Sequence, residues 1–455
     1  MRKGFLAAVL AALIGGVLLN PASAAVKAGT ACTKAGLTSV SAGIKYTCIK
    51  SGKKLVWDKG VKVAAPAPTP LPTISPSTDF LTSADCKLGK PSSQPADEGP
   101  DGSVGFPKTS EELASTGTLK GLILFVDFPD VIAKSDLKAP WQTSSIPTAE
   151  KLFSYASFGK LTLKIDLSSK VYRMTKPSTY YALGADPSGG PLPGAPPPKL
   201  GEVVSDALAV ADSDVDYSQY AFVTVSTPAS PSLALSGATG MGPNPKTFDG
   251  VTYTQGDFIP YDTITPITTP VKTINFTHDI GHMLGLMHPY VDRSDIHGAW
   301  DIMWSFAFQR DFLGWNKWKL DWVTDDQVSC IGAGSPAQLM QLLSPIGAPS
   351  KDKKMIVIHL SATSALAVEV RRKSPFEDLT PSNEGVIVYR VDTTKGQGLG
   401  AFTIVSNPTK TINAQNFPEI LGTMKPGESV SDSGYVISVL QTTTAGDYVS
   451  VKKTS

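Results

Sequence analysis

The 455-residue sequence contains only five histidines and four cysteines. It has no phosphate-binding glycine loop, no G-x-S-x-G nucleophile motif and, in its main part, no basic–aromatic motif for nucleic acid. These absences argue against a P-loop nucleotidase, a serine hydrolase with a nucleophile elbow and a nucleic-acid-binding protein. The length predicts about three folding units. The hydrophobic content of 41% and the charged content of 18% are typical of globular domains.

Long apolar runs are also scarce, and the one at the N-terminus predicts export. Arg2 and Lys3 precede an apolar run over Phe5–Leu19, and the A-S-A sequence at 22–24 matches a small-residue cleavage site. We therefore predict a signal peptide over residues 1–24. No later run is long enough to span a bilayer. We expect a secreted, extracellular protein without a transmembrane segment, and cell-wall association is an open alternative.

The four cysteines of an exported chain indicate disulfide bonds. Cys32 and Cys48 lie close together in a short N-terminal segment, whereas Cys86 and Cys330 flank a long central region. Four cysteines allow three pairings. We predict the pairs 32–48 and 86–330.

Residues 25–62 form a basic segment with eight lysines and one aspartate. The stretch Lys45–Trp57 predicts two short strands around a Ser-Gly turn. So small a β module needs its disulfide, because it cannot bury enough apolar surface alone. Its charge suits binding to anionic cell-wall polymers, and a solubilising segment is the alternative. Five prolines within residues 63–79 predict an extended linker.

We predict that residues 80–335 form an α/β (α+β) domain, because strand and helix patterns are mixed along this range. The patterns comprise a buried strand within Lys120–Asp130, alternating strands within Ala156–Met174, a helix over Leu200–Asp212 and a strand over Ala221–Ser226. We expect residues 236–250 to form a loop. Residues 336–455 carry several strand patterns without helical periodicity, and they predict an all-β, sandwich-like domain.

Four of the five histidines fall within 20 residues, from His278 to His297. Residues four apart share one face of a helix, so His278 and His282 can bind one ion. Gly285 permits the chain to leave the helix through a left-handed conformation and to return His288 as a third ligand. Three protein nitrogens leave a fourth position for water, as a catalytic zinc requires. Copper and nickel also accept imidazole ligands.

The stretch HDIGHMLGLMH, from His278 to His288, resembles the H-x-x-x-H-x-x-G-x-x-H pattern of the metzincin zinc peptidases. Those proteins also have a methionine turn under the metal, and Met303 in AWDIMWS is the candidate here. The motifs GLILFVDFPD, SFGKLTLKI, FLGWNKWKLDWV and EGVIVYRVD extend the resemblance to the immune-inhibitor-A type of secreted bacterial metallopeptidase, over roughly residues 110–450. The resemblance implies a metzincin-like catalytic domain, one catalytic Zn²⁺ on the three histidines and polypeptide substrates.

The sequence departs from this pattern at Asp279, where the family carries a glutamate as general base. Aspartate is shorter by one methylene, about 1.5 Å, and a 1 Å misplacement can cost on the order of 100-fold in rate. The reference pKa differs by only about 0.4, so the chemistry of the group is retained. Three alternatives stay open: an active zinc endopeptidase, a catalytically impaired metal-binding pseudopeptidase, and a cell-envelope adhesion protein.

Three further residues are candidates around the predicted metal site. Tyr290 is placed to donate a hydrogen bond to an oxyanion, although packing is the more ordinary role. Asp301 is placed to brace a ligand histidine. Met303 is expected to place an apolar side chain beneath the predicted metal site.

A calcium site is a second metal prediction. Asp212, Asp214 and Asp216 alternate in one loop, and oxygen-rich loops of this kind can bind Ca²⁺. Asp127 and Asp130, after the first strand, are a similar candidate. In the first of these loops the glycine of an EF-hand is missing, and Tyr217 stands in its place.

Overall fold

The computed structural model describes residues 27–41, 44–62, 81–90, 103–109, 111–134, 137–185, 191–228, 230–241, 246–260, 271–290, 300–303, 310–332, 335, 338–411 and 421–454. The chain forms two compact units, Met1–Thr73 and Ile74–Ser455. The predicted signal peptide and the predicted proline-rich linker lie outside the described residues. Within the described ranges, no helix combines the length and the apolar character needed to cross a bilayer.

The N-terminal unit contains a four-stranded antiparallel sheet. Its strands are β1 (Thr38–Ser41), β2 (Ile44–Ser51), β3 (Lys54–Trp57) and β4 (Val61–Lys62). Strand β2 pairs with each of the other three. The core is small, with Tyr46, Cys48 and Trp57 buried. The predicted Cys32–Cys48 disulfide is confirmed, and it supplements this small core.

The larger unit begins with a mostly parallel sheet, and its mixed α/β character is confirmed. The strands are β5 (Gly117–Asp127), β6 (Leu161–Leu167), β7 (Tyr172–Arg173), β8 (Phe222–Thr227), β9 (Gly237–Gly240), β10 (Lys246–Phe248), β11 (Val251–Tyr253) and β12 (Gln255–Pro260). The order in the sheet is β6-β5-β8-β12-β9, with β7 pairing to β5. Only β9 in this order is antiparallel to its neighbour. Strands β10 and β11 form a separate hairpin.

Helices cover both faces of this sheet. They are α1 (Lys138–Pro140), which continues through a π-helical turn at Trp141–Ser145 into α2 (Ile146–Ala156), then α3 (Leu200–Ala211), α4 (Val271–Met283) and α5 (Gly314–Lys319). Short 3₁₀ turns lie at Ser83–Cys86, Ser178–Tyr181, Tyr217–Gln219 and Asp325–Gln327. On β5, Ile123 packs in the core that contains α2 and α4, and Leu124 packs in the core that contains α3. Both faces are buried, which explains the continuous apolar run of this strand.

The prediction that residues 236–250 form a loop is wrong in part, because β9 and β10 lie there. The sequence Gly237–Gly240 (GATG) has no apolar alternation. Its extended form comes from hydrogen bonding to β12, which a pattern of side chains cannot reveal.

The C-terminal part contains two sheets. The first has the order β13-β15-β16-β17-β18, and the second has the order β14-β21-β20-β19. Their strands are β13 (Val328–Ile331), β14 (Gln338–Leu343), β15 (Met355–Ser361), β16 (Ser364–Arg371), β17 (Gly385–Asp392), β18 (Phe402–Ile404), β19 (Ser429–Asp432), β20 (Tyr435–Thr442) and β21 (Asp447–Lys453). Side chains of both sheets share one core, to which Val368 and Val449 belong.

The first of these sheets is also buried on its other face. On β17, Val388 belongs to the core between the two sheets, whereas Tyr389 packs with Trp315, Trp318 and the segment that follows α4. Alternate residues of one strand point to opposite faces. The five-stranded sheet therefore lies directly against the segment that carries the third predicted ligand. A disulfide joins Cys86 to Cys330 in this region.

Candidate metal centre

Helix α4 brings His278 and His282 onto one face, and the turn after it is built around Gly285. Gly285 has φ +92°, and its N–H donates to His282 O at 2.8 Å. The N–H of Leu286 donates to Gly281 O at 3.0 Å. These two bonds around a left-handed glycine form a Schellman motif. A Cβ at position 285 would lie 2.2 Å from the carboxyl carbon of Glu112, so the position excludes larger residues for a second reason.

The Nε2 atoms of the three histidines converge. The distances are 2.7 Å from His278 to His288, 2.9 Å from His278 to His282, and 3.1 Å from His282 to His288. A tetrahedral zinc site with bonds near 2.0–2.1 Å would hold its nitrogens about 3.3 Å apart. The three observed distances are shorter than this value, the shortest being 2.7 Å, so the rings need to move apart only slightly to admit an ion. The three rings therefore fit a single divalent cation.

Two of the rings are anchored through their other nitrogen. Nδ1–H of His278 donates to Ile302 O at 2.8 Å, and Nδ1–H of His282 donates to Leu286 O at 2.8 Å. These bonds leave the lone pair on Nε2. Burial lowers the pKa of His282 to about 4, so that imidazole stays neutral and able to donate to a metal. His278 and His282 are buried and His288 is half-buried, which places His288 at the more open side.

Met303 lies directly under α4. A Cβ added at Gly281 would come within 2.4 Å of Met303 Sδ, so the glycine admits the thioether against the helix. Asp301 holds this turn: its Oδ1 accepts from Met303 N–H at 2.7 Å, and its Oδ2 accepts from Leu313 N–H and Asn316 Nδ2, each at 2.8 Å. Burial raises the pKa of Asp301 to about 6. The carbonyl that accepts from His278 belongs to Ile302, which lies between Asp301 and Met303, so Asp301 is connected to the histidine only through the backbone.

Asp279 is buried and points toward the sheet. Its carboxyl accepts from the backbone N–H of Ala238 on β9 and contacts the carboxyl of Asp257 on β12. Asp257 Oδ2 accepts from Thr224 Oγ1 at 2.9 Å, and the backbone N–H of Phe258 also donates to this carboxyl. Burial, followed by the charge of Asp257, raises the pKa of Asp279, and burial raises the pKa of Asp257 to about 7. A proton shared between the two acids satisfies both groups.

Sequence reasoning missed Asp257. The signal was present, because an aspartate inside the otherwise buried strand Gln255–Pro260 is unusual without a partner. The sequence gives no sign of which helix residue it faces. Sequence reasoning also missed Glu112, because the sequence does not show that its carboxyl covers the turn at Gly285.

Tyr290, two residues after His288, has a buried side chain that packs against the five-stranded C-terminal sheet. Its ring packs 6.4 Å from the ring of Phe402, in the core that also holds Tyr389. The histidine at 297 lies outside the described residues.

The carboxylates of four of the five calcium candidates have protein partners. Asp214 pairs with Lys170, and Asp216 accepts from Ser218. Near the first strand, Asp127 pairs with Arg173, and Asp130 accepts from Ser178 N–H and Oγ. Across the part of the chain that the structure describes, the histidine triad is the only group of three or more potential ligands with atoms within 4.8 Å of one another.

No protein-family model matches the sequence, and no curated protein matches it. Among the solved structures that match the chain, two overlap with it weakly. Both are crystal structures of wild type OgpA from Akkermansia muciniphila, one in P 41 21 2 and one in P 21 21 21. The first has a TM-score of 0.29 and 10% identity, and it covers 66% of this chain and 94% of OgpA. The second has a TM-score of 0.29 and 11% identity, with 72% and 89% covered. Similarity at this level carries no argument about function.

Proposed function

We propose that the chain is a secreted zinc-dependent endopeptidase, with His278, His282 and His288 as metal ligands. The observation that carries the proposal is the convergence of three Nε2 atoms within 3.1 Å. Two of these rings have their Nδ1–H fixed by backbone carbonyls. Disulfides in both compact units are typical of an oxidising compartment, which supports secretion.

The domain assignment is part of this proposal. Residues 80–335 would form a metzincin-like catalytic domain of the immune-inhibitor-A type, and residues 336–455 a β-sandwich-like domain. Helix α4, which carries two of the proposed ligands, contacts the antiparallel edge strand β9, and this arrangement supports the first assignment. The core shared by the two C-terminal sheets supports the second. Both parts lie within the unit Ile74–Ser455.

The residues of the chain suit hydrolysis of a peptide bond. When bound, zinc lowers the pKa of a coordinated water and polarises a carbonyl. The chain must also provide a group that accepts a proton from the attacking water and returns it to the leaving amine. Asp279 occupies the position where this base is expected. Its carboxyl is one residue from the ligand His278 and is held by Ala238 N–H.

A second candidate, a metal-binding pseudopeptidase, is favoured by the contact between Asp279 and Asp257. A carboxyl that shares a proton with another acid is a poor base near neutral pH. In this alternative the histidines would still bind the metal, and the site would hold a peptide without cleaving it.

Cleavage of casein by the zinc-loaded full chain distinguishes the peptidase from the pseudopeptidase. We expect wild type to cleave casein, and Asp279→Ala to lose on the order of 100-fold or more in rate, since a general base contributes about 10²–10⁴-fold. Asp279→Glu adds one methylene and tests whether the length of the side chain at this position limits the rate. If wild type is no faster than Asp279→Ala and Asp279→Glu creates cleavage, the chain is a pseudopeptidase.

A further inference from the structure

The loop Thr393–Ala401, between β17 and β18, is hydrogen-bonded to the segment that carries the third histidine. Gly398 N–H donates to His288 O at 2.7 Å, and Phe402 N–H donates to Pro289 O at 3.1 Å. Gly398 belongs to the loop and Phe402 to strand β18, and both are far along the chain from the histidine motif. The ring of Tyr290 also contacts the ring of Phe402, so the same two segments are in contact through side chains.

His288 needs such support more than the other two histidines do. His278 and His282 lie on α4, whose backbone fixes their relative positions. His288 follows the helix end, in residues 286–289 that belong to no helix or strand. The position of its backbone therefore depends on individual contacts, and the bond from Gly398 is made at His288 itself.

The conformation of the loop orients the Gly398 N–H toward His288 O. Leu399 N–H donates to Gly396 O at 3.1 Å, which closes a turn with Gly398, at φ +71°, as its third residue. A positive φ at that position is the requirement of a type II turn, and glycine meets it without strain. At the base of the loop, Asp392 N–H donates to Ala401 O at 2.9 Å. The turn and its base together fix the direction of the Gly398 N–H.

We propose that Gly398 is a positioning residue for the metal centre, so that the C-terminal sheet is part of the site. This inference rests on the proposed metal-binding function. Groups that orient metal ligands from outside the coordination sphere change metal affinity by about 10- to 100-fold when they are removed. The Gly398 amide acts on the backbone of His288, and the same order of effect is expected.

The test compares two proline substitutions in the full chain. Gly398→Pro removes the donor to His288. Gly400→Pro is the matched control, because Gly400 has a similar φ of +77° in the same loop and its N–H makes no hydrogen bond among the described residues. Zinc affinity is measured by competition with a chelator. We expect Gly398→Pro to lose about tenfold or more and Gly400→Pro to stay within about threefold of wild type. Equal affinities of the two variants would overturn the inference. A wild type that binds no zinc would instead refute the proposed function.

A second measurement needs no substitution in the loop, and it decides the question if Gly398→Pro does not fold. Coupling between metal binding and the loop is reciprocal. Zinc should therefore slow hydrogen exchange of the Gly398 and Phe402 amides in wild type, and not in His288→Ala. Protection confined to the histidine segment, with no change at these two amides, would contradict the proposal.

Discussion

The carboxyl group of Asp279 on helix α4 contacts the carboxyl group of Asp257 on strand β12 in the protein interior. Two acids in contact cannot both ionise without a large electrostatic cost, so the pair retains a proton to a higher pH than either acid would alone. Asp279, which we propose as the general base, is thereby in contact with strand β12 of the sheet.

We predict that Asp257→Asn alters how stability depends on pH. The pKa of Asp257 is raised from 3.8 to about 7 by burial, so the folded state binds a proton that the unfolded state releases. This contribution to stability is present below about pH 4 and is lost as the pH rises toward 7, with a limiting slope of about 1.4 kcal/mol per pH unit for one proton. Asparagine does not titrate, so the variant should lose less stability than wild type over this range.

Urea unfolding of the metal-free protein between about pH 4.5 and 8 measures this difference. Asp130→Asn is a suitable control, because burial at Asp130 is outweighed by hydrogen bonds from Ser178 that lower its pKa below 3.8. Its contribution therefore changes only below about pH 4, and this variant should run parallel to wild type over the measured range. Parallel stability curves for wild type and Asp257→Asn would show that Asp257 keeps an ordinary pKa.

Gly285→Ala should destabilise the protein and weaken metal binding. The residue has φ +92°, and a Cβ there would meet the Glu112 carboxyl at 2.2 Å. The left-handed conformation alone costs about 1–2 kcal/mol for a residue with a Cβ, and the clash adds to it. Gly117→Ala is the matched control, since Gly117 has φ +86° and a Cβ there would have no neighbour within 4 Å among the described residues.

Thermal unfolding and zinc titration of both variants check this prediction. The double variant Gly285→Ala with Glu112→Ala should recover the part of the loss that comes from the clash. Equal losses in Gly285→Ala and Gly117→Ala would mean that the contact with Glu112 contributes nothing.

The basic module should bind anionic cell-wall polymers in a salt-sensitive way. All eight lysines of residues 27–62 are exposed. The one aspartate, Asp58, accepts hydrogen bonds from the N–H groups of Thr47 and Gly60, so its carboxylate is engaged within the module. An uncompensated cluster of this kind attracts polyanions, and salt screens the attraction over about 10 Å at 0.1 M.

Co-sedimentation of the full chain with purified cell walls tests this. The triple variant with glutamine at Lys50, Lys53 and Lys54 should bind several-fold more weakly, and wild-type binding should fall as salt is added. The control carries glutamine at the exposed Lys134, Lys151 and Lys164 of the larger unit. Equal binding by both variants would assign the module no such role.

The sequence could predict the parts of the site that depend on local geometry. The spacing of His278 and His282 follows from the helix repeat, and Gly285 indicates where the chain turns toward His288. The disulfide of the small module and the mixed α/β character also follow from composition and pattern. These features depend on residues that are near one another in the chain.

The parts that could not be predicted join residues that are distant in the chain. Asp257 could be recognised as a buried acid, but its contact with Asp279 depends on how α4 crosses the sheet. Gly398 has the pattern of an ordinary turn glycine, and its bond to His288 exists only because the C-terminal sheet packs on the segment that follows α4. Strand β9 is extended through pairing to β12 and not through its own side chains.

The zinc content of the purified full chain, measured by elemental analysis with His282→Ala beside it, decides whether the histidine triad is a metal centre. We expect about one zinc per chain in wild type and little or none in the variant, because three converging nitrogens are reduced to two. The same exposed surface is present in both proteins, so adventitious binding cancels. No stoichiometric metal in wild type, or an equal amount in His282→Ala, would contradict the claim that this triad binds a metal.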